Sequence, residues 1–130
     1  MLIKYGRIIT MEKFDIRQCA YIGDAVFELF VREICIEKAK TQKTMHNFSI
    51  KYVNANFQAH LLNELQDFFS EKEKEIIRRG RNLKISISKK NNPQIHSLAS
   101  AFEVIVGYFY LYDKDRLKDF FENVKKYLNN

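Results

Sequence analysis

The apolar side chains near the start of this chain recur at the spacing of a helix face. Between Phe14 and Lys40 the positions of this face stand three to four residues apart, at Ile16, Ala20, Asp24, Phe27, Val31 and Ile34, and all but Asp24 are apolar. That spacing places side chains on one side of an α-helix. The 130 residues include only four glycines and one proline, which is too few turn residues for many short strands. We therefore predict an all-α fold built from a few long helices.

The same periodicity predicts five further helices along the chain. They cover Thr44–Phe57, Ala59–Phe69, a short stretch ending at Arg79, Gln94–Tyr112 and Asp115–Leu128. Ser70 and Glu73 form a capping box for the short helix, and Gly80 is expected to end it. Residues 80–93 read as an irregular loop. Because no repeat or linker divides the chain, we predict one domain over residues 1–130, with residues 1–10 as a loosely ordered extension.

Composition limits the location and partners of the protein. The formal charge of +6 and the pI of about 9.3 favour a polyanionic partner, although an ordinary basic cytoplasmic protein shows the same values. No apolar run approaches the ~20 residues of a membrane span, and the first residues lack the apolar core of a signal peptide. Cys19 and Cys35 lie roughly 24 Å apart on one predicted helix, too far for a disulfide. Reduced cysteines indicate the cytoplasm.

Two carboxylates interrupt otherwise apolar stretches, Asp24 within 20–31 and Glu103 within 98–111. Burial of an ionised carboxylate costs several kcal/mol unless the group is paired, hydrogen-bonded or bound to a metal. If two core helices bring these acids together, both cannot stay ionised without a cation. Mg²⁺ suits oxygen ligands and phosphate partners, and it supports phosphodiester hydrolysis. The alternative is that each acid is structural and pairs with a buried arginine or a helix N-terminus.

Other polar side chains are candidates for support around these acids. Glu28 follows Asp24 by one turn. It either supports the metal ligands without binding the metal directly or forms a salt bridge with Arg32, and we favour the salt bridge. Ser100 precedes Glu103 by one turn and leaves room beside its carboxylate. The three histidines show no zinc-ligand spacing with one another or with the cysteines, so we predict no zinc site.

A basic segment runs from the end of the short predicted helix toward the start of the predicted helix Gln94–Tyr112. It carries six cations and no acid, at Arg78, Arg79, Arg81, Lys84, Lys89 and Lys90. Solvated charge runs usually mix signs, as residues 71–75 do. An acid-free run of this kind is typical of phosphate binding, and we predict that it binds a nucleic-acid backbone.

These segments together resemble a known enzyme family. Residues 21–28 (YIGDAVFE) and 100–107 (SAFEVIVG) resemble the two signature helices of the ribonuclease III catalytic domain. The resemblance is closest to mini-ribonuclease III, the bacterial form without a double-stranded-RNA-binding domain. It covers about residues 14–128. Supporting segments occur in the same order: Met45-His46, Val53-Asn54-Ala55, Gln58-Ala59 and Arg78–Asn82 followed by Lys84.

The resemblance implies an all-helical endonuclease that acts as a homodimer on double-stranded RNA. It assigns Asp24 and Glu103 as catalytic ligands of Mg²⁺ and adds Asn82 to the RNA-binding candidates. It implies cleavage to 5′-phosphate and 3′-hydroxyl ends, with the ends of precursor 23S ribosomal RNA as substrate. Full-length ribonuclease III has further acids where this chain has Arg17, Ala20 and Ser100, so that larger acidic cluster does not carry over. The competing interpretations are a non-catalytic helical RNA-binding or ribosome-assembly module and a helical interaction protein.

Overall fold

Within the residues that the structure describes, the fold is a bundle of six α-helices with one short 3₁₀ turn. The computed structural model describes residues 14–83 and 92–128. The helices are α1 (Ile16–Lys38), α2 (Gln42–Tyr52), α3 (Ala55–Glu64), α4 (Glu71–Arg81), α5 (Pro93–Tyr112) and α6 (Lys114–Lys125), and the 3₁₀ turn at Gln66–Phe68 follows α3. No strand occurs within these two ranges, and the predicted all-α fold is confirmed.

Helix α5 is the centre of the core. Its side chains Phe102, Ile105 and Phe109 are fully buried, and α1, α3, α4 and α6 all pack against it. Phe120 of α6 lies across the rings of Phe102 and Phe109, with centroid separations of 5.9 and 5.8 Å. Because four helices cover α5, any polar group on it must find a partner within the bundle or open to a surface cavity.

The apolar character of α5 exceeds the sequence-based expectation. Within the described residues, its length of 20 residues and its mean hydropathy of 1.2 meet the criteria for a membrane-spanning helix. The prediction that no apolar run approaches that length is therefore wrong for this helix. Since 56% of the most apolar stretch of this helix is buried inside the protein, α5 has the environment of a core helix.

Helices α1 and α5 cross at backbone contact distance. A Cβ atom added to Gly23 of α1 would overlap the carbonyl oxygen of Glu103, and one added to Gly107 of α5 would overlap the carbonyl oxygen of Cys19. No side chain larger than hydrogen fits at either position. Gly23 therefore allows the close backbone approach beside Asp24.

The predicted helix Thr44–Phe57 is divided in the structure. Helix α2 ends at Tyr52, and α3 begins after Asn54. The side chain of Asn54 accepts a hydrogen bond of 2.8 Å from the backbone N–H of Phe57, while its amide donates to the carbonyl of Lys51 at 2.9 Å. Asparagine at this position satisfies backbone groups at both helix ends, and the periodicity of the apolar residues did not reveal the break.

The start of α4 agrees with the prediction, and its end does not. The backbone N–H of Ser70 donates to Glu73 Oε1 at 2.9 Å, and that of Glu73 donates to Ser70 Oγ at 3.2 Å. The capping box is confirmed. Gly80 does not end the helix, which continues to Arg81. A Cβ atom on Gly80 would lie 3.0 Å from Ala101 Cα of α5, so this glycine allows helix packing.

Candidate active site

The two predicted acids meet in a surface cavity beside the crossing of α1 and α5. The cavity has a volume of about 270 Å³ and is lined by Arg17, Ala20, Tyr21, Asp24, Leu83 and Glu103. Asp24 comes from α1 and Glu103 from α5, and the glycine crossing fixes their relative position. A larger cavity of about 540 Å³ at the junction of α1 and α2 has lysines and threonines in its wall but no carboxylate.

The two acids differ in exposure. Glu103 is partly buried, whereas Asp24 is exposed. The apolar stretches around the two acids suggested that both are buried, and this expectation is wrong for Asp24. Its apolar neighbours Tyr21 and Leu29 are themselves 85% and 58% exposed, so they do not mark a buried stretch. Asp24 therefore opens the site to solvent, while Glu103 forms its inner wall.

The carboxyl groups of Asp24 and Glu103 are hydrogen-bonded to each other. Burial, the nearby charge of Asp24 and this hydrogen bond raise the pKa of Glu103 to about 8. A hydrogen bond from the side chain of Gln58 opposes the shift. Because the pKa lies above neutrality, the metal-free pair holds a proton at pH 7. The two carboxyl groups therefore share one proton in the absence of metal, and a bound cation would replace that proton.

Neither acid has the partner that a structural role requires. Among residues 14–83 and 92–128, Asp24 and Glu103 form no ion pair. A buried acid that does have such a partner is Glu73, whose Oε1 lies 2.5 Å from Arg116 Nη2. Burial alone would raise the pKa of Glu73, but hydrogen bonds from Arg116 and Ser70 hold it below its usual value. This fold therefore pairs its structural acid and leaves the cavity acids unpaired.

The donor set fits Mg²⁺. Two adjacent carboxylates supply oxygen ligands, and a divalent ion that replaces the shared proton would remove their repulsion. No group of three or more His, Cys, Asp or Glu side chains suited to a metal occurs in the described part of the chain. Mg²⁺ ordinarily keeps several waters and accepts phosphate oxygens. A cavity of about 270 Å³ leaves room for these ligands.

Gln58 is the contact that sequence reasoning did not assign. It lies on α3, is only 4% exposed, and donates a hydrogen bond to Glu103. A buried amide directed at a carboxylate fixes the orientation of that carboxylate. Its place on the apolar side of α3, next to buried Ala59 and one turn before buried Leu61 and Leu62, was the signal in the sequence.

The candidate supporting residues have separate positions. Glu28 accepts two hydrogen bonds from Arg32, the shorter at 2.7 Å, and the favoured salt bridge is confirmed. Ser100 is buried on α5, one turn before Glu103, and it does not line the cavity. The immediate contacts of the acid pair are thus with Gln58 rather than with Glu28.

The arginines predicted to bind RNA point in different directions. Arg78 is paired with Glu75 at 2.6 Å, and the guanidinium of Arg79 lies 5.1 Å from the ring centre of Phe14. Arg81 lines a groove of about 200 Å³ between α3, α4 and α5, and Asn82 caps the end of α4. Lys84, Lys89 and Lys90 lie outside the described residues, as do residues 1–10.

The raised pKa of Glu103 predicts how stability changes with pH. Its folded pKa of about 8 exceeds the ordinary value of 4.5, so the folded protein binds this proton more tightly than the unfolded chain. The stabilising contribution is complete below the ordinary value and is lost as pH rises through 8. Without metal, Glu103→Gln should be close to wild type in stability near about pH 5 and should exceed it by several kcal/mol near about pH 9, because each pKa unit corresponds to about 1.4 kcal/mol. Urea unfolding in chelator measures this difference, and equal stability at both pH values would contradict it.

Comparison with known proteins identifies the family. The pattern of the Ribonuclease III domain matches residues 17–114. Mini-ribonuclease 3 of Clostridium tetani is 39% identical over 99 residues, covering 74% of this chain and 66% of that protein. Mini-ribonuclease 3 of Thermoanaerobacter sp. is 40% identical over 106 residues, covering 79% and 75%. A crystal structure of a Fusobacterium nucleatum protein superimposes with a TM-score of 0.78 at 25% identity, covering 88% and 93%. The chain therefore belongs to the ribonuclease III family of endoribonucleases.

Proposed function

We propose that this protein is a Mg²⁺-dependent endoribonuclease that hydrolyses double-stranded RNA in the cavity beside α1 and α5. The observation that carries the proposal is the unpaired, hydrogen-bonded couple of Asp24 and Glu103 in an open cavity. A family of endoribonucleases supplies the reaction type. The products would carry 5′-phosphate and 3′-hydroxyl ends, as the family resemblance implies.

The roles of the side chains follow from their positions. Asp24 and Glu103 would hold Mg²⁺, and Gln58 would keep the Glu103 carboxylate in its coordinating orientation. When bound, the metal would activate a water molecule and stabilise negative charge on the phosphate. Exposure of Asp24 leaves one side of the cavity open to a large substrate, while the buried wall at Glu103 limits the access of bulk water.

The proposed substrate is duplex RNA, with precursor 23S ribosomal RNA as its biological form. A net charge of +6 favours a polyanion. Proteins recognise A-form RNA mostly through its shape, its phosphates and its 2′-hydroxyl groups, which suits a small helical domain. Arg79 and Arg81 are the described cations of the basic segment that remain for this purpose, since Glu75 neutralises Arg78.

Cleavage of a defined RNA duplex tests the proposal. We expect fragments in Mg²⁺ and none in chelator, because the acid pair holds a proton instead of a cation when metal is absent. Ligation of the fragments to an adaptor requires a 5′-phosphate, and mapping of the ends locates the cut. Cleavage in chelator at the rate seen with Mg²⁺ would contradict the metal-dependent mechanism.

We further propose that the protein acts as a homodimer through the exposed side of α1. Tyr21, Leu29 and Ile36 are 85%, 58% and 66% exposed, and with the exposed Ala25 they form one stripe along the helix. Exposed apolar side chains along one side of a helix are typical of an interaction site. A two-fold axis at this stripe would pair α1 with its own copy. Since Tyr21 also lines the acid cavity, the interface would reach the edge of the site.

A charge in the middle of this stripe should separate the protomers. Leu29→Asp is expected to weaken dimerisation at least about thirtyfold, because it places an unpaired carboxylate in the interface. Ile50→Asp is the matched control, since Ile50 is 57% exposed but lies on α2. Sedimentation over a concentration series measures both variants. The dimer surface is assigned wrongly if Leu29→Asp and Ile50→Asp dissociate equally.

We also propose a cytoplasmic location and a single folded domain. Cys19 and Cys35 are both free and buried, and desolvation, aided by the charge of Asp15, raises the pKa of the Cys19 thiol to about 12. Such a thiol is chemically inert at neutral pH. Buried, unreactive thiols on one helix are consistent with a reducing compartment.

A further inference from the structure

Arg17 lies in the wall of the cavity that contains Asp24 and Glu103, and the proposed chemistry gives it no role. Its backbone N–H donates to Asp15 Oδ1 at 2.8 Å, which caps the start of α1. Among the residues that the structure describes, its side chain has no comparable partner. Within residues 14–83 and 92–128, Arg17 forms no ion pair with either cavity acid or with any other carboxylate.

The position of Arg17 is unfavourable for a cation. Helix α1 begins at Ile16, so Arg17 stands in its first turn, and this turn contains no acid. The N-terminal end of a helix carries partial positive charge and is stabilised by anions rather than cations. Since the guanidinium forms no ion pair within the described ranges and does not suit the helix end, these contacts give it no role in folding.

We propose that Arg17 binds a phosphate of the substrate strand next to the phosphate that is cut. The inference rests on the proposed function, because the cavity is taken to hold RNA. Two carboxylates make the cavity repulsive to a polyanion, and a guanidinium in the same wall offsets that repulsion. Arginine also presents paired N–H donors that match a phosphate group.

The distance along α1 defines which phosphate Arg17 contacts. Arg17 and Asp24 are two helical turns apart, roughly 10 Å along the axis, so Arg17 lies beside the reacting centre rather than on it. A contact away from the reacting atoms stabilises the bound RNA and the transition state equally. Loss of such a contact raises KM and leaves kcat unchanged.

Equilibrium binding of duplex RNA tests the contact without interference from cleavage. The measurement compares Asp24→Asn protein with the double variant Asp24→Asn/Arg17→Gln. We expect the double variant to bind roughly tenfold more weakly than Asp24→Asn. Its affinity should also depend less on salt, because about one counterion fewer is released on binding. Asp24→Asn/Lys118→Gln removes an exposed cation of α6 and is expected to bind as tightly as Asp24→Asn alone. Equal affinity and equal salt dependence for the Arg17→Gln protein would overturn the proposal.

Arg17→Glu separates binding from folding. A carboxylate suits the first turn of α1, so this variant should unfold at the same temperature as wild type or above it. It should nevertheless bind RNA more weakly than Arg17→Gln. In the cleaving enzyme, Arg17→Gln should raise KM at constant kcat, and a loss confined to kcat would overturn the assignment.

The two proposals can fail separately. If wild type cleaves duplex RNA in Mg²⁺ and Arg17→Gln changes neither affinity nor KM, only the role of Arg17 is wrong. If wild type does not cleave but Arg17→Gln weakens binding with the reduced salt dependence, the contact is supported and the catalytic function is wrong.

Discussion

Replacement of Asp24 by asparagine is expected to reduce cleavage of duplex RNA roughly a thousandfold. The substitution keeps the size of the side chain but removes one of two carboxylates that would hold Mg²⁺, and a loss of several kcal/mol in transition-state stabilisation has this effect on rate. Because Asp24 is exposed, the variant should fold normally. Single-turnover cleavage at saturating protein measures the chemical step separately from RNA binding.

A matched variant and a second readout make this prediction specific. Glu37→Gln removes the same charge from another exposed position of α1 and should cleave at the wild-type rate. Asp24→Asn should also lower the pKa of Glu103, since the charge and the hydrogen bond of Asp24 both raise it. If Asp24→Asn cleaves as fast as Glu37→Gln, the catalytic assignment is wrong. If wild type and both variants bind RNA equally and none of them cleaves it, the protein is an RNA-binding module.

The helices were predictable because their determinants are local. The apolar spacing of α1, α5 and α6 and the Ser70–Glu73 capping box depend only on residues within a few positions of one another. The errors fall where a single residue acts through its surroundings. Asn54 divides two helices through its side-chain hydrogen bonds, and Gly80 lies within α4 in close contact with α5 instead of ending the helix.

The candidate site was predictable in its chemistry but not in its arrangement. Two acids in apolar stretches indicated a shared site, and the structure places them together. The sequence could not show that Asp24 is exposed, since exposed Tyr21 and Leu29 read as core residues. It also could not show that Arg78 is paired with Glu75 or that Gln58 bonds to Glu103. These facts depend on which helix faces meet.

The crossing of α1 and α5 connects the fold to the site. The glycines bring the backbone of α1 against the residue that carries the second carboxylate. A wider separation of these helices would part Asp24 from Glu103 and remove the cation site, although each helix would keep its apolar contacts elsewhere. The glycines therefore determine the geometry of the proposed chemistry as well as the packing of the core.

Gly107→Ala should consequently reduce both stability and activity. The added Cβ atom would overlap the carbonyl oxygen of Cys19 and approach Ile22 Cγ2 at 2.9 Å. Rigid backbone cannot move aside as a flexible side chain does, so we expect a loss of roughly 3 kcal/mol or more in the free energy of unfolding. Urea unfolding in chelator measures this loss without a contribution from bound metal.

Gly80→Ala is the matched control for this substitution. Its Cβ atom would lie 3.0 Å from Ala101 Cα, which is a tight contact. Alanine is favoured over glycine in a helix by about 1 kcal/mol, and this preference largely offsets the strain of that contact. The control should therefore remain near wild-type stability and retain cleavage. Gly107→Ala should also lose the stabilisation that Mg²⁺ gives to wild type, because the displaced α1 carries Asp24 away from Glu103. If Gly107→Ala gains stability, as alanine does at an open helix position, the two backbones do not meet at Gly107 and the acids are not held together by this crossing.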